Sequence, residues 1–231
     1  DMQKVFNANV TDIFRNEYLS PRSPYTTLQL PKQGIGEWCH PLKTADIDDS
    51  GLRAAVRKGL LETKLGIPFR TPAEGHNIAF TSLWDNYPDS LEIPLKGKAS
   101  RAYLLMAGST NHMQCHIDNG VIRVYYKDGT CDVMFLRNPD NWPPIEHIFF
   151  EDGLAFNRHT PALYRLRLKT GEISNNFGEE LGFPGASREL DGGAAVLLEM
   201  PLNPGKKLSH LVLETLSNDA VIGLMSITLQ R

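Results

Sequence analysis

The segment from Asn119 to Trp142 constrains the fold more than any other part of the chain. Asp128-Gly129 lies between two runs rich in Val, Ile, Tyr and Phe, which is the strongest short-range signal for a β-hairpin. Turn residues bound the segment, with Asn119-Gly120 before the first run and Asn138-Pro139 after the second. The segment therefore predicts an antiparallel β protein, and no residue set within it is typical of a catalytic centre.

Strand-like runs separated by turn residues continue from residue 67 to the end of the chain. We predict strands over 77–82, 90–94, 102–107, 113–117, 121–127, 131–136, 164–169, 194–200, 207–216 and 220–230. Many short strands bounded by turns are typical of an all-β sandwich or barrel. We predict one β-sandwich domain over 1–231, because no change in composition marks a linker.

Two further elements accompany the predicted sandwich. Residues 1–45 contain four prolines and predict an extended N-terminal segment that packs on the sandwich, with one strand at 25–30. A short helix is predicted over 50–59, because Asp49 and Ser50 offer N-cap side chains and Gly59 follows two basic residues. The chain begins at Asp1 rather than Met, which predicts that an upstream segment has been removed.

Composition argues against several functional classes. The formal net charge of -3 over 231 residues does not favour a nucleic-acid interface built on bulk charge. The apolar runs are far shorter than the roughly 20 residues that a membrane-spanning helix needs. Three cysteines without a Cys-x-x-Cys pair do not indicate a structural zinc site or a redox motif. We therefore expect no nucleic-acid partner, no membrane span and no cofactor.

His112 and His116 are the first candidates for chemistry. On a helix, two histidines four residues apart can bind one metal ion from the same face. The surrounding residues predict a strand over 113–117 instead, which would separate the two side chains by about 13 Å along the sheet. One ion cannot bridge that distance, so no metal site is predicted, and both histidines become candidates for hydrogen bonding to a ligand.

Acidic and nucleophilic residues form no recognisable catalytic pattern in the sequence. Glycoside hydrolases need two carboxyl groups about 5–9.5 Å apart. Nothing selects such a pair from the acids of the predicted loops, which are Glu146, Glu151, Asp152, Glu179 and Glu180. A Gly-x-Ser-x-Gly nucleophile motif and a Gly-rich phosphate loop are both missing. We predict no catalytic residue within this chain, and a glycoside hydrolase or polysaccharide lyase with its own acid/base pair is the alternative.

Trp38, Trp84 and Trp142 each lie beside turn residues. An exposed indole can stack on the apolar face of a sugar ring while amides, histidines and acids bind its hydroxyl groups. The alternative is that each Trp anchors a loop end to the core. The predicted ligand-binding set joins two tryptophans to nearby polar residues: Trp84, Asn111, His112, Gln114, His116, Trp142 and Glu146.

A series of short motifs runs through the chain: SPRSPYTTL at 20–28, GIGEWC at 34–39, DSGLR at 49–53, GIPF at 66–69, SLWDNYP at 82–88, YLLMAGST at 103–110, the Asp-Gly hairpin, NPGKKL at 203–208 and NDAVIGL at 218–224. This series resembles the C-terminal region of an uncharacterised family of secreted glycosidase-like proteins from polysaccharide-degrading gut bacteria. The β portion is similar to galactose-binding-like jelly rolls. The resemblance implies a jelly-roll fold, an extracytoplasmic location (periplasmic or cell surface), and a carbohydrate-related role beside a catalytic domain upstream in the same polypeptide.

These observations predict a non-catalytic carbohydrate-related β-sandwich module. It would bind a polysaccharide or oligosaccharide, or support the catalytic domain of a glycoside-hydrolase-like protein. A structural protein-interaction domain is a further alternative, and an exposed apolar surface near Phe6, Ile13, Phe14 and Leu19 would favour it.

Overall fold

Strands are the main regular secondary structure of the described chain. The computed structural model describes residues 2–15, 46–84, 86–111, 114–148, 158–177 and 190–231. Two 3-10 helices span Met2–Lys4 and Val10–Asp12, and helix α1 spans Ser50–Ala55. The strands are β1 (Leu60–Glu62), β2 (Pro68–Arg70), β3 (Ala79–Ser82), β4 (Ser90–Pro94), β5 (Arg101–Thr110), β6 (Asp118–Tyr126), β7 (Cys131–Arg137), β8 (Arg165–Arg167), β9 (Ile173–Ser174), β10 (Ala194–Pro201), β11 (Leu208–Thr215) and β12 (Ala220–Gln230).

The strands form two main sheets that pack against each other. The six-stranded sheet has the order β3-β12-β5-β10-β8-β9, and the four-stranded sheet has the order β4-β11-β6-β7. Strands β1 and β2 form a separate pair. Every pairing of these strands is antiparallel. The predicted all-β sandwich with one short α-helix is therefore confirmed, while its jelly-roll description stays a prediction.

The six-stranded sheet is covered on both faces. Leu104 and Met106 of β5 pack against Ile122 and Leu211 of the four-stranded sheet. Leu105, which points the opposite way along the same strand, belongs to a second apolar cluster outside the sandwich. Successive strand residues face opposite sides, so a strand buried on both faces reads as a continuous apolar run. This explains why 102–107 and 194–200 are apolar almost throughout.

The second cluster joins the N-terminal residues and α1 to the outer face of that sheet. Its members include Val10, Ile13, Phe14, Leu52, Phe69 and Phe80. Ile13 and Phe14 are 0% and 4% exposed, so they do not form the exposed apolar surface that would favour an interaction domain. Leu19, Trp38, Cys39, the predicted strand at 25–30 and most of the predicted N-terminal segment lie outside the described residues.

The predicted hairpin is confirmed as β6 and β7. Gly129 has a φ of 84°, a conformation that glycine adopts without a steric penalty. Its N–H donates to the Tyr126 carbonyl oxygen at 3.1 Å, and the Thr130 N–H donates to the Asp128 carboxylate at 3.0 Å. The Asp-Gly pair therefore closes the turn by the local chemistry that the sequence predicted.

Helix α1 ends four residues earlier than its predicted end. Val56 adopts an extended conformation (φ -69°, ψ 127°) and ends the helix. Lys58 and Gly59 both have positive φ, and the Arg57 N–H donates to the Leu60 carbonyl oxygen at 2.8 Å. Two central residues with φ > 0 make the tight turn of a hairpin, so Gly59 belongs to a turn leading into β1 and not to a helix cap.

The predicted strand over 113–117 is wrong for its described residues, 114–117. Cys115 forms only an isolated parallel bridge with Asn138. His116 has a φ of 55°, which interrupts extended backbone, and its N–H donates to the Asn138 carbonyl oxygen at 2.7 Å. Strand β6 begins only at Asp118. A tertiary contact with the chain after β7 therefore replaces the predicted strand.

No helix within the described ranges has the length and apolar character needed to cross a membrane.

Candidate functional site

The connection between β5 and β6 brings three predicted ligand-binding residues together. Asn111, Gln114 and His116 lie on this connection, and the Gln114 N–H donates to the Asn111 carbonyl oxygen at 2.9 Å. His116 and Cys115 join the connection to Asn138, just after β7. The predicted role of these three residues stays a prediction. His112 lies outside the described residues.

Hydrogen bonds attach the described residues of this connection to the sandwich. The Asn111 N–H donates to the Asp219 carbonyl oxygen at 2.9 Å, just before β12. The buried Asn119 amide donates to the Gln114 carbonyl oxygen at 3.2 Å and to Ser217 Oγ at 3.3 Å. Asn119 Oδ1 also accepts the Asn138 N–H at 3.1 Å. The backbone that carries the polar side chains is therefore fixed by the sandwich beneath it.

Two residues missed by sequence reasoning, Asp140 and His159, complete this region. Asp140 Oδ2 lies 3.7 Å from His116 Nδ1, and Asp140 Oδ1 lies 3.5 Å from His159 Nδ1. The two imidazole rings have centroids 4.7 Å apart. No local pattern links residues this far apart in sequence. We call this region the polar loop surface, and its members are Asn111, Gln114, His116, Asp140 and His159.

Both predicted tryptophans lie in the core. Trp84 is 1% exposed and Trp142 is 0% exposed. Trp142 packs so closely on β5 that a Cβ added at Gly108 would lie 2.7 Å from the indole Cζ2. Neither indole presents a face to a ligand. Both residues therefore anchor loop ends to the core, which was the alternative to stacking on a sugar ring. A position beside turn residues does not determine exposure, which depends on how the loop folds back.

Glu146 is also buried and belongs to a second polar cluster. Its side chain accepts a hydrogen bond from Ser109 Oγ at 2.8 Å, and the residue is 2% exposed. Burial raises the pKa of Glu146 to about 7, although the Ser109 hydrogen bond and the Arg165 charge act in the opposite direction. Glu146 therefore does not face a ligand at the protein surface.

Arg165 shows what this buried cluster does. Its guanidinium group donates to the carbonyl oxygens of Pro144 at 2.6 Å, His147 at 2.8 Å and Ala194 at 3.0 Å. Burial lowers the pKa of Arg165 to about 10, which leaves the group charged at neutral pH. These bonds tie the chain after Trp142 to β10. The cluster is therefore a structural clamp, and the sequence carried no signal that would have paired Ser109, Glu146 and Arg165.

The free thiols of Cys115 and Cys131 form no disulfide with each other. The other acids considered for catalysis, at positions 151, 152, 179 and 180, lie outside the described residues. Comparison with known proteins identifies no family, since no family model, curated protein or solved structure matches the chain.

Proposed function

We propose that this chain is a non-catalytic β-sandwich module that binds a carbohydrate through the polar loop surface. The observation that carries the proposal is that hydrogen bonds join the loops bearing these amide, imidazole and carboxylate groups at one end of the sandwich. Such groups can donate to and accept from sugar hydroxyls. A fixed framework lowers the ordering cost of binding.

The proposal relies on hydrogen bonding, because the two buried tryptophans and Glu146 are not part of the surface. Asn111 and Gln114 are half-buried, and the His116 side chain is 30% exposed. Asn111 Nδ2 donates to Asp219 Oδ2 at 3.5 Å, and Gln114 Oε1 accepts from Thr110 Oγ1 at 3.4 Å. Both bonds are long, and a sugar hydroxyl at this half-exposed surface would replace them. The proposal also includes the jelly-roll description, an extracytoplasmic location and an upstream catalytic domain in the same polypeptide as partner. These three rest on the resemblance of the sequence motifs.

A glycan screen followed by calorimetry tests the proposal. We expect the wild-type chain to bind at least one plant or host polysaccharide or oligosaccharide. Asn111→Ala and Gln114→Ala should each weaken that binding about two- to tenfold, the usual effect of losing one neutral hydrogen bond.

Gln230→Ala is the matched control, because Gln230 is exposed at the other end of the 11-residue strand β12. It should leave the affinity unchanged. The absence of binding to every glycan in a broad panel would refute the proposal. So would a bound glycan whose affinity is the same for the wild-type chain, Asn111→Ala and Gln114→Ala.

A further inference from the structure

We propose that His116, Asp140 and His159 bind a divalent transition-metal ion of the Zn²⁺ type. The inference goes beyond carbohydrate binding and does not depend on it. One ligand atom from each of the three residues lies within 4.8 Å of the other two. Two imidazole nitrogens and one carboxylate oxygen form a donor set that suits Zn²⁺ and its neighbours in the transition series.

The separations match those of ligands around one small ion. Zn–N and Zn–O bonds of 2.0–2.2 Å in tetrahedral geometry place neighbouring ligand atoms about 3.4 Å apart. Asp140 Oδ1 lies 3.5 Å from His159 Nδ1, and the other oxygen of the same carboxylate, Oδ2, lies 3.7 Å from His116 Nδ1. Both distances are longer than an ordinary hydrogen bond. The ligand atoms of the three residues all lie within 4.8 Å of one another, so side-chain rotations that bring them closer by up to about 1.4 Å would place them around one ion.

Hydrogen bonds hold the chain segments that carry the three side chains close together. The His159 N–H donates to Asp140 Oδ1 at 2.7 Å, and Thr160 Oγ1 donates to the Asp140 carbonyl oxygen at 2.6 Å. The Asp140 side chain is only 15% exposed. Across the cluster from His159, His116 has a left-handed backbone conformation, and its N–H donates to the Asn138 carbonyl oxygen. A non-glycine residue in that conformation costs of order 1 kcal/mol, and such strain clusters at functional sites.

The donor set does not suit calcium. Ca²⁺ takes six to eight oxygen ligands, and two of the three donors here are imidazoles. The neighbouring Asn141 amide is already used, since its Oδ1 accepts the Arg137 N–H at 2.8 Å and its Nδ2 donates to the Phe135 carbonyl oxygen at 2.9 Å. Three protein donors would leave at least one coordination position of Zn²⁺ to water or to a ligand.

Calorimetric titration of the chelator-treated chain with Zn²⁺, without any glycan, tests the site. We expect one ion per chain with a micromolar or tighter Kd. Asp140→Asn and His159→Ala should each raise the Kd at least tenfold, because the loss of even an outer-shell partner of a metal ligand usually costs that much. Asp140→Asn keeps an oxygen that can accept the His159 N–H, and His159 has a 63% exposed side chain. Both variants should therefore fold, which circular dichroism would verify.

His76→Ala is the matched control, because His76 is an exposed histidine outside the cluster. It should leave the Kd unchanged. Co²⁺ binding gives a second readout, since a visible spectrum from bound Co²⁺ should appear in the wild-type chain and disappear in Asp140→Asn. Weak binding that Asp140→Asn and His159→Ala do not alter would overturn the proposal, as would the absence of stoichiometric binding.

The two proposals fail separately. A chain that binds Zn²⁺ but no glycan would support the metal site and refute the proposed function. A chain that takes up no Zn²⁺, and that binds a glycan equally well before and after chelation, would refute the metal site and support the proposed function.

Discussion

Replacing Glu146 with Gln should change how the stability of the protein depends on pH. The buried carboxyl group has a pKa of about 7 in the folded chain, against an ordinary value of 4.5. At a pH between these two pKa values, Glu146 keeps its proton in the folded protein but has already released it in the unfolded chain. The contribution of Glu146 to the free energy of unfolding should therefore be largest below pH 4.5, and it should be lost as the pH rises through 7.

The size of the effect follows from the difference between the two pKa values. Each pKa unit corresponds to about 1.36 kcal/mol, so a shift from 4.5 to about 7 is worth about 3 kcal/mol. A neutral Gln can keep the hydrogen bond from Ser109 Oγ but carries no titrating proton. Relative to the wild-type chain, Glu146→Gln should gain about 3 kcal/mol of stability between pH 4.5 and pH 8. Any cost of the substitution that does not depend on pH, such as altered packing, cancels in that comparison.

Urea unfolding at several pH values measures this difference directly. The wild-type chain and Glu146→Gln would be compared at pH 4.5, 5.5, 6.5 and 8, with Glu62→Gln as a control because Glu62 is exposed on β1. A difference between wild type and Glu146→Gln that does not vary with pH would refute the reasoning. A difference of the opposite sign would mean that the charge of Arg165 outweighs burial and keeps Glu146 ionised.

Three further substitutions test the core and the clamp by urea unfolding. Arg165→Met should lower stability by about 3–5 kcal/mol, because it leaves the carbonyl oxygens of Pro144, His147 and Ala194 without their charged donor; no loss of stability would contradict the clamp. Gly108→Ala should cost at least about 1–3 kcal/mol, because the new Cβ would lie 2.1 Å from a backbone oxygen, whereas Gly205→Ala should cost much less. Trp142→Ala should cost about 3–5 kcal/mol, and a stable variant would contradict its role as a core anchor.

Local chemistry was enough to predict much of the fold. The Asp128-Gly129 turn and the bounds of β4 and β12 agree with the prediction, because turn residues and strand-forming runs act over a few neighbours. The predicted end of α1 failed where Lys58 and Gly59 made a turn of their own. The predicted strand before β6 failed at His116, whose backbone is held by a contact with Asn138.

The candidate site was only partly predictable. Asn111, Gln114 and His116 were proposed from their turn-side or shared-strand positions in the sequence, and their role in binding stays a prediction. Asp140 and His159 were missed, because only the folded chain brings them to His116.

The sequence by itself determined that this protein is an antiparallel β-sandwich, since hairpin turns and runs of strand-forming residues depend on interactions between near neighbours. Only the tertiary structure decided which side chains are exposed and which polar groups meet. The burial of Trp142 and Glu146 and the approach of His159 to His116 depend on contacts between residues far apart in the chain. Such contacts follow from the packing of whole strands and loops, and no local pattern of residues encodes them.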